Sequence, residues 1–158
     1  MSATQDVRPT LGDFNSIVCF RAVVAGMEEA LGKRTAMVSL KAAGRIRGAQ
    51  LVESLGLTGK GPADADALAR ALDDALGTNG TRLCHVRKAE REGEIFRIHL
   101  AETICSADEP QGSDRELSFT FGALHGAIEA LYGVKLRGKQ VGSVLRGAEH
   151  DIMELEPR

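Results

Sequence analysis

The sequence predicts an α+β fold: helices packed on one face of a four-stranded antiparallel sheet, in the order ααα-ββ-α-ββ. Three observations carry that prediction. Apolar residues follow a helical period up to Leu76, alternate from Thr81 onward, and return to helical spacing at Phe121. Each alternating stretch is broken by a short polar turn, so its strands join as hairpins and pair antiparallel. Glycines stop the helical stretches at Gly32, Gly56, Gly77 and Gly133.

Met1 to Thr10 is polar and contains Pro9, which predicts a loose tail over residues 1–12 and one domain over residues 13–158. The first helix is expected to start near Asp13, a capping residue, and to carry Ile17, Phe20, Val24 and Met27 on one side as far as Leu31. A second helix over Lys33 to Leu55 places Met37, Leu40, Gly44, Gly48 and Leu51 near one face, with Lys41, Arg45 and Arg47 pointing more outward. Gly59-Lys60-Gly61-Pro62 is a turn, after which Asp64 or Asp66 caps a third helix with a Leu68, Leu72, Leu76 stripe.

Beyond Thr81 the inward set is Cys84, Val86, Phe96, Ile98 and Leu100, with a turn near Glu90 to Gly93. Glu102 to Cys105 continues the second strand, and Ser106 to Asp114 is a polar loop. The fourth helix carries Phe121, Leu124, Ile128 and Leu131. Two strands near Lys135 to Leu145 and Glu149 to Glu156 close the chain across Arg146-Gly147-Ala148.

With 158 residues, 43% of them apolar, the chain is long enough to bury a core without disulfides or metal. Lys and Arg number 20 against 22 Asp and Glu, and the absence of a basic stripe lowers the rank of nucleic-acid binding. Cys19, Cys84 and Cys105 match no zinc spacing, so no metal is expected and free thiols in a reducing, cytoplasmic setting are the simplest reading. No apolar run reaches the roughly 20 residues that span a bilayer.

Few side chains suggest chemistry. His125 lies between Gly122 and Gly126 and could meet a bound molecule beside bare backbone, or sit at the core edge bonded to a carbonyl or to Glu129. His85 and His99 would face each other if the first hairpin turned symmetrically about Glu92, and a solvent-facing pair is the ordinary outcome. Cys105 could be activated by Arg115 at the next helix start, or be a buried inert thiol. Lys41, Arg45 and Arg47, and Lys135, Arg137 and Lys139, could receive an anion or simply be solvated. The glycine pairs Gly44/Gly48 and Gly122/Gly126 each bare one helix face, which a helix, a sheet or a ligand could approach.

The stretch Ala42-Ala43-Gly44-Arg45-Ile46-Arg47-Gly48 with Leu51 and Leu55 resembles the early helix of the 4-vinyl-reductase domain family, also described as hydrocarbon-binding or small-molecule sensor domains. Gly122, Gly126, Gly133 and Gly147 match its later signature, and the element order agrees over about Phe14 to Leu155. The resemblance implies a usually dimeric α+β domain that holds an apolar or aromatic molecule between its layers. Relatives include sensor domains of aromatic-degradation regulators and a protein linked to tetrapyrrole vinyl reduction. Short stand-alone cyanobacterial proteins look similar, and vesicle-tethering adaptor subunits share the architecture. Many members carry cysteines before the glycine helix and in the last hairpin. Glu116 to Leu155 contains none, so a family-type zinc site is not expected.

The reading that follows is a cytoplasmic binding or sensory domain, homodimeric and signalling through a partner protein. Its expected ligand is an apolar or tetrapyrrole-like molecule held by Phe96, Ile98, Cys105, Phe119, Phe121, Gly122, His125 and Gly126. A non-catalytic adaptor is the alternative. An enzyme or carrier of tetrapyrrole metabolism ranks last, because no acid, base and nucleophile converge in the sequence.

Overall fold

The computed structural model of the protein describes residues 16–158, together with Arg8 and Thr10. The expected cap at Asp13, the domain start at residue 13 and the rest of the tail lie outside the described residues. The elements run α1 (Ile17–Leu31), α2 (Lys33–Ser54), α3 (Ala65–Leu76), β1 (His85–Glu92), β2 (Ile95–Ala101), α4 (Phe119–Tyr132), β3 (Leu136–Gly142), a 3-10 turn (Val144–Arg146) and β4 (Asp151–Pro157). The four strands form one antiparallel sheet in the order β1-β2-β4-β3, so the fold is α+β in the predicted element order.

Local chemistry explains the helix ends. Asp64 caps α3 by accepting from the Ala67 amide at 2.8 Å. Gly133 ends α4 in the left-handed conformation, φ 64°, and its amide donates to the Glu129 carbonyl at 2.8 Å.

The sheet has one dry and one wet face. Val86, Ala89, Phe96, Ile98, Leu100, Met153 and Leu155 are buried on the inner side. On the outer side Arg97 pairs with Glu154 at 2.7 Å, Lys139 with Glu154 at 3.6 Å and Arg137 with Glu156 at 2.9 Å, all between directly opposed residues. Two details differ from simple alternation. Arg87 is an extra residue in β1 and Val141 an extra residue in β3, so each strand carries a bulge.

α4 is buried without a break from Thr120 to Glu129, held between α2 and the sheet. Its contact with α2 answers which neighbour the glycines admit. A Cβ on Gly44 would stand 2.2 Å from the Phe119 carbonyl oxygen, one on Gly48 2.0 Å from that of Ala123, one on Gly122 2.1 Å from that of Lys41 and one on Gly126 2.0 Å from that of Arg45. The two glycine pairs therefore interlock, backbone against backbone. Neither a sheet nor a ligand occupies that face.

Several expectations are corrected. The register pairs His85 with Ala101 and Lys88 with His99, so the two histidines are not opposed: Glu92 pairs with Ile95, which sets the turn at Gly93 and Glu94, later than expected, and leaves His85 out of step with His99. β2 ends at Ala101, and Cys105 lies in a turn entered through Glu102 at φ 53°. Arg45 does not point outward. It reaches across to α4, because the small residues bring the helices close enough for an ion pair. The closing strands are shorter than predicted, since Ser143 and the 3-10 turn interrupt the hairpin.

Candidate functional site

The main opening lies where α1, the start of α4 and the α3–β1 turn meet over α2. It has a volume of about 550 Å³ and its apolar wall is formed by Ile17, Phe20, Leu51, Leu76, Leu83 and Phe119. Each comes from a different structural cause. Ile17 and Phe20 lie on the first turn of α1, which leaves Ile17 39% exposed and Phe20 partly buried against the core. Phe119 opens α4 and meets Phe20 edge to face, with centroids 4.8 Å apart. Leu83 is turned inward by a compact loop in which the amides of Thr81, Arg82 and Leu83 donate to the carbonyls of Ala75, Gly77 and Leu76 at 3.0, 3.1 and 2.9 Å. Gly48, bare on this side too, and Ala123 complete the floor. Ser16, Thr81, Arg47 and Arg82 form the polar rim. Beneath the floor a void of about 20 Å³ between α2, α3 and α4 shares Leu51 and Leu76 with the cavity.

A smaller polar cleft, about 160 Å³, adjoins it through Arg82 and is lined by Gly77, Thr78, Cys84, His85 and Glu102. Here His85 Nδ1 donates to Asp73 at 3.0 Å, and the Val86 amide donates to the same carboxylate oxygen at 2.8 Å. Burial pushes the Cys84 thiol up to about 12, with the neighbouring Cys105, Asp73 and Asp151 adding to the effect. The thiol is therefore protonated and not a nucleophile at neutral pH.

The structure does not gather the predicted ligand residues around one void. Phe119 borders the main cavity. Phe96 borders a separate cleft with Arg91 and Tyr132, whose ring lies 5.0 Å from its own. Ile98 is fully buried under the sheet. Phe121 is packed beside Gly138, whose missing side chain makes room for it, and the Lys41 ammonium stands 4.4 Å from its ring centre. Cys105 accepts from the Ser118 amide at 3.4 Å and donates to Thr120 Oγ1 at 3.7 Å. Arg115, the expected activator of that thiol, instead pairs with Glu28 at 2.9 Å and Glu109 at 3.3 Å. Gly122 and Gly126 face α2.

His125 belongs to a polar network inside the core. Its Nε2 donates to the Leu136 carbonyl at 3.0 Å and lies 3.3 Å from Glu129. Glu129 accepts from the Leu136 amide at 2.7 Å and from Arg45, Nε at 2.8 Å and Nη2 at 2.7 Å. Burial lowers the His125 pKa, against the opposing pull of Glu129. For Glu129 burial raises the pKa, but the Leu136 amide and the Arg45 guanidinium outweigh it and hold the carboxyl below its ordinary range. The network ties α2, α4 and β3 together with its donors and acceptors matched, so it is structural.

Among the described residues no group of three or more His, Cys, Asp or Glu side chains is placed to hold a metal. No helix among them is long and apolar enough to cross a membrane.

Solved structures that share this fold over most of the chain include the following two. One is the phenol-responsive sensory domain of the transcription activator PoxR, with phenol: TM-score 0.65, 13% identity, covering 92% of this chain and 76% of that one. The other is trafficking protein particle complex subunit 3 from Naegleria fowleri, covalently bound to palmitic acid: TM-score 0.57, 10% identity, covering 90% of this chain and 95% of that one. At these identities the likeness is one of fold. Neither a protein-family model nor a curated protein sequence matches the chain.

Proposed function

We propose that this chain is a binding or sensory domain for a small apolar or aromatic molecule, working as a homodimer that signals through a partner protein. The observation that carries the reading is the cavity of about 550 Å³ with its wall of Ile17, Phe20, Leu51, Leu76, Leu83 and Phe119. Its size lies within the roughly 300–1,000 Å³ of ordinary small-molecule sites. That the fold is shared with a phenol-responsive sensory domain supports the same reading.

The proposed mechanism follows from the cavity's walls. α1 forms one side, and α4, anchored in the core, forms the other. A molecule filling the space adds contacts to both and favours the arrangement in which α1 is held against Phe119. Its leverage is the difference in its affinity for the held and released positions of α1. The outward face of α2 carries Val38, Ala42 and Ile46 at helical spacing, with Val38 65% and Ile46 62% exposed, and α1, packed on α2, exposes Val18 and Val23. We assign the homodimer contact to this surface, where a movement of α1 would be felt. The same exposed stripe favours a second reading, an adaptor that works through protein contacts with the cavity as a by-product.

Native mass spectrometry of the protein purified from its own host, gentle and then denaturing, separates the two. A dimer retaining an apolar small molecule, from a phenol to a tetrapyrrole in size, supports sensing or carrying. A dimer with no added mass, whose melting temperature is also unmoved by phenol, an alkylphenol and protoporphyrin, overturns the sensory reading and leaves the adaptor.

A further inference from the structure

We propose that the molecule received by the main cavity carries a carboxylate, held by Arg47 and Arg82 while its apolar body lies against Phe20, Leu51 and Phe119. The inference rests on the reading of this cavity as a ligand site and adds the charge and polar group of the ligand to it.

The lining is electrostatically one-sided. Among the described residues it contains two guanidinium groups and the hydroxyls of Ser16 and Thr81, and no Asp or Glu. Three other arginines on or near the same helices are neutralised, Arg21 by Glu109, Arg45 by Glu129 and Arg115 by Glu28, while Arg34 at the start of α2 is not, among the described residues. Arg47 and Arg82 pair with no carboxylate among the described residues. Glu102, which borders the neighbouring polar cleft with Arg82, makes no ion pair with it.

Arg82 is also placed with unusual care. Its backbone is left-handed, φ 58°, a conformation that a long side chain seldom takes without being forced. The forcing is visible: the amides of Thr81, Arg82 and Leu83 are all tied back to the end of α3, and Gly80 has no room for a side chain, since a Cβ would stand 1.9 Å from the Ala75 carbonyl oxygen. One consequence is that successive residues serve one cavity, Arg82 at its rim and Leu83 in its wall. Arg47, on α2, is one position from Gly48 in the floor. Each guanidinium presents a planar fork that fits a carboxylate's two oxygens. A neutral phenol or alcohol gains nothing comparable from either side chain.

Calorimetric titration of the full chain with 4-butylbenzoate and with 4-butylbenzyl alcohol compares one apolar body with and without the charge. At low salt the acid is expected to bind about tenfold more tightly. Raising the salt should weaken the acid alone. Arg47→Gln with Arg82→Gln should bring the acid down to the alcohol's affinity and leave the alcohol unchanged. Equal binding of the two compounds, or an acid affinity indifferent to the double substitution, overturns the carboxylate while the cavity reading stands. Binding of neither compound overturns both. Leu51→Trp, which fills the floor, should abolish both and shows that the heat measured comes from this cavity.

Discussion

Arg45 on α2 and Glu129 on α4 meet in a forked ion pair, Nε to Oε2 at 2.8 Å and Nη2 to Oε1 at 2.7 Å, at a crossing where Gly44, Gly48, Gly122 and Gly126 bring the two backbones together. The carboxylate is 8% exposed and the guanidinium 31%. Removing one partner strands the other in a largely dry seam. Glu129→Ala is expected to cost about 2–3 kcal/mol, below the larger penalties of fully buried pairs because Arg45 retains water access. Urea unfolding checks it; a loss under about 0.5 kcal/mol would show that the pair is solvated.

Glycine substitutions should change sign with place. Gly126→Ala drives a methyl to 2.0 Å from the Arg45 carbonyl oxygen, and Gly48→Ala one equally close to Ala123. Backbone cannot step aside as a flexible side chain does, so each should destabilise by about 1–3 kcal/mol despite alanine's better helix propensity. Gly26→Ala, inside α1 with nothing within 4 Å, should stabilise by about 0.5–1 kcal/mol. Melting curves that shift the same way for Gly26 and Gly126 would contradict the interlocked packing.

Acid should weaken the protein in two stages. Below the ordinary histidine value of 6.5 the unfolded chain takes up a proton at His125 that the folded one, with its lowered pKa, refuses. Below the ordinary value of 4.5 the same holds for Glu129. Both groups therefore contribute stability that is present above their ordinary values and lost as pH falls through the depressed folded ones. Denaturation midpoints measured from pH 7 to 4 should fall in both ranges, and His125→Gln should flatten the upper range only. An unchanged upper slope in that variant would assign the loss to other groups.

The α2 stripe should control self-association. Val38→Glu with Ile46→Glu places charges on a surface that has no role in the core, so the melting temperature should be kept. The homodimer proposed above should have its dissociation constant raised at least about tenfold. Sedimentation velocity decides; an unchanged dimer would move the contact to another face.

Asp151 carries more of the fold than its place at a strand start suggests. It is fully buried and accepts from Thr103 Oγ1 and Ser106 Oγ, both at 2.7 Å, and from the Val144 amide at 3.0 Å. Asp151→Ala orphans three donors at once and should cost about 2–4 kcal/mol. Protease cleavage in the segment after β2 should rise with it, and resistance equal to wild type would show that the donors find other partners.

What the sequence discloses follows from how local each cause is. Gly32, Gly77 and Gly133 mark helix ends because a helix stop is decided by one residue's backbone. The bulge at Arg87 leaves no such mark; an inserted residue looks like any other until the partner strand is laid beside it, and it turns Ala89 rather than Lys88 inward. Spacing likewise shows that Gly122 and Gly126 bare a face, but not that Gly44 and Gly48 cover it. Of the cavity's wall, Phe119 is the one residue among those that the sequence marks as ligand contacts. Phe20, Leu51 and Leu76 read as core, since periodicity cannot tell a wall packed on both sides from one packed on a single side, and Leu83 reads as outward by its alternation with Cys84 and Val86, although the loop tied back to α3 turns it in.

The two bulges have a further meaning. β1 and β3 are the outermost strands, and each is broken in step with its neighbour once, at Arg87 and at Val141. A foreign strand laid along either border would fall out of register within a few residues, and it would meet the charges of Lys88, Arg91, Arg137 and Lys139 as it did so. Recruitment of other chains by sheet extension, the path to fibrils, is thus discouraged on both flanks. A partner that adds a strand is the one kind of companion both flanks turn away.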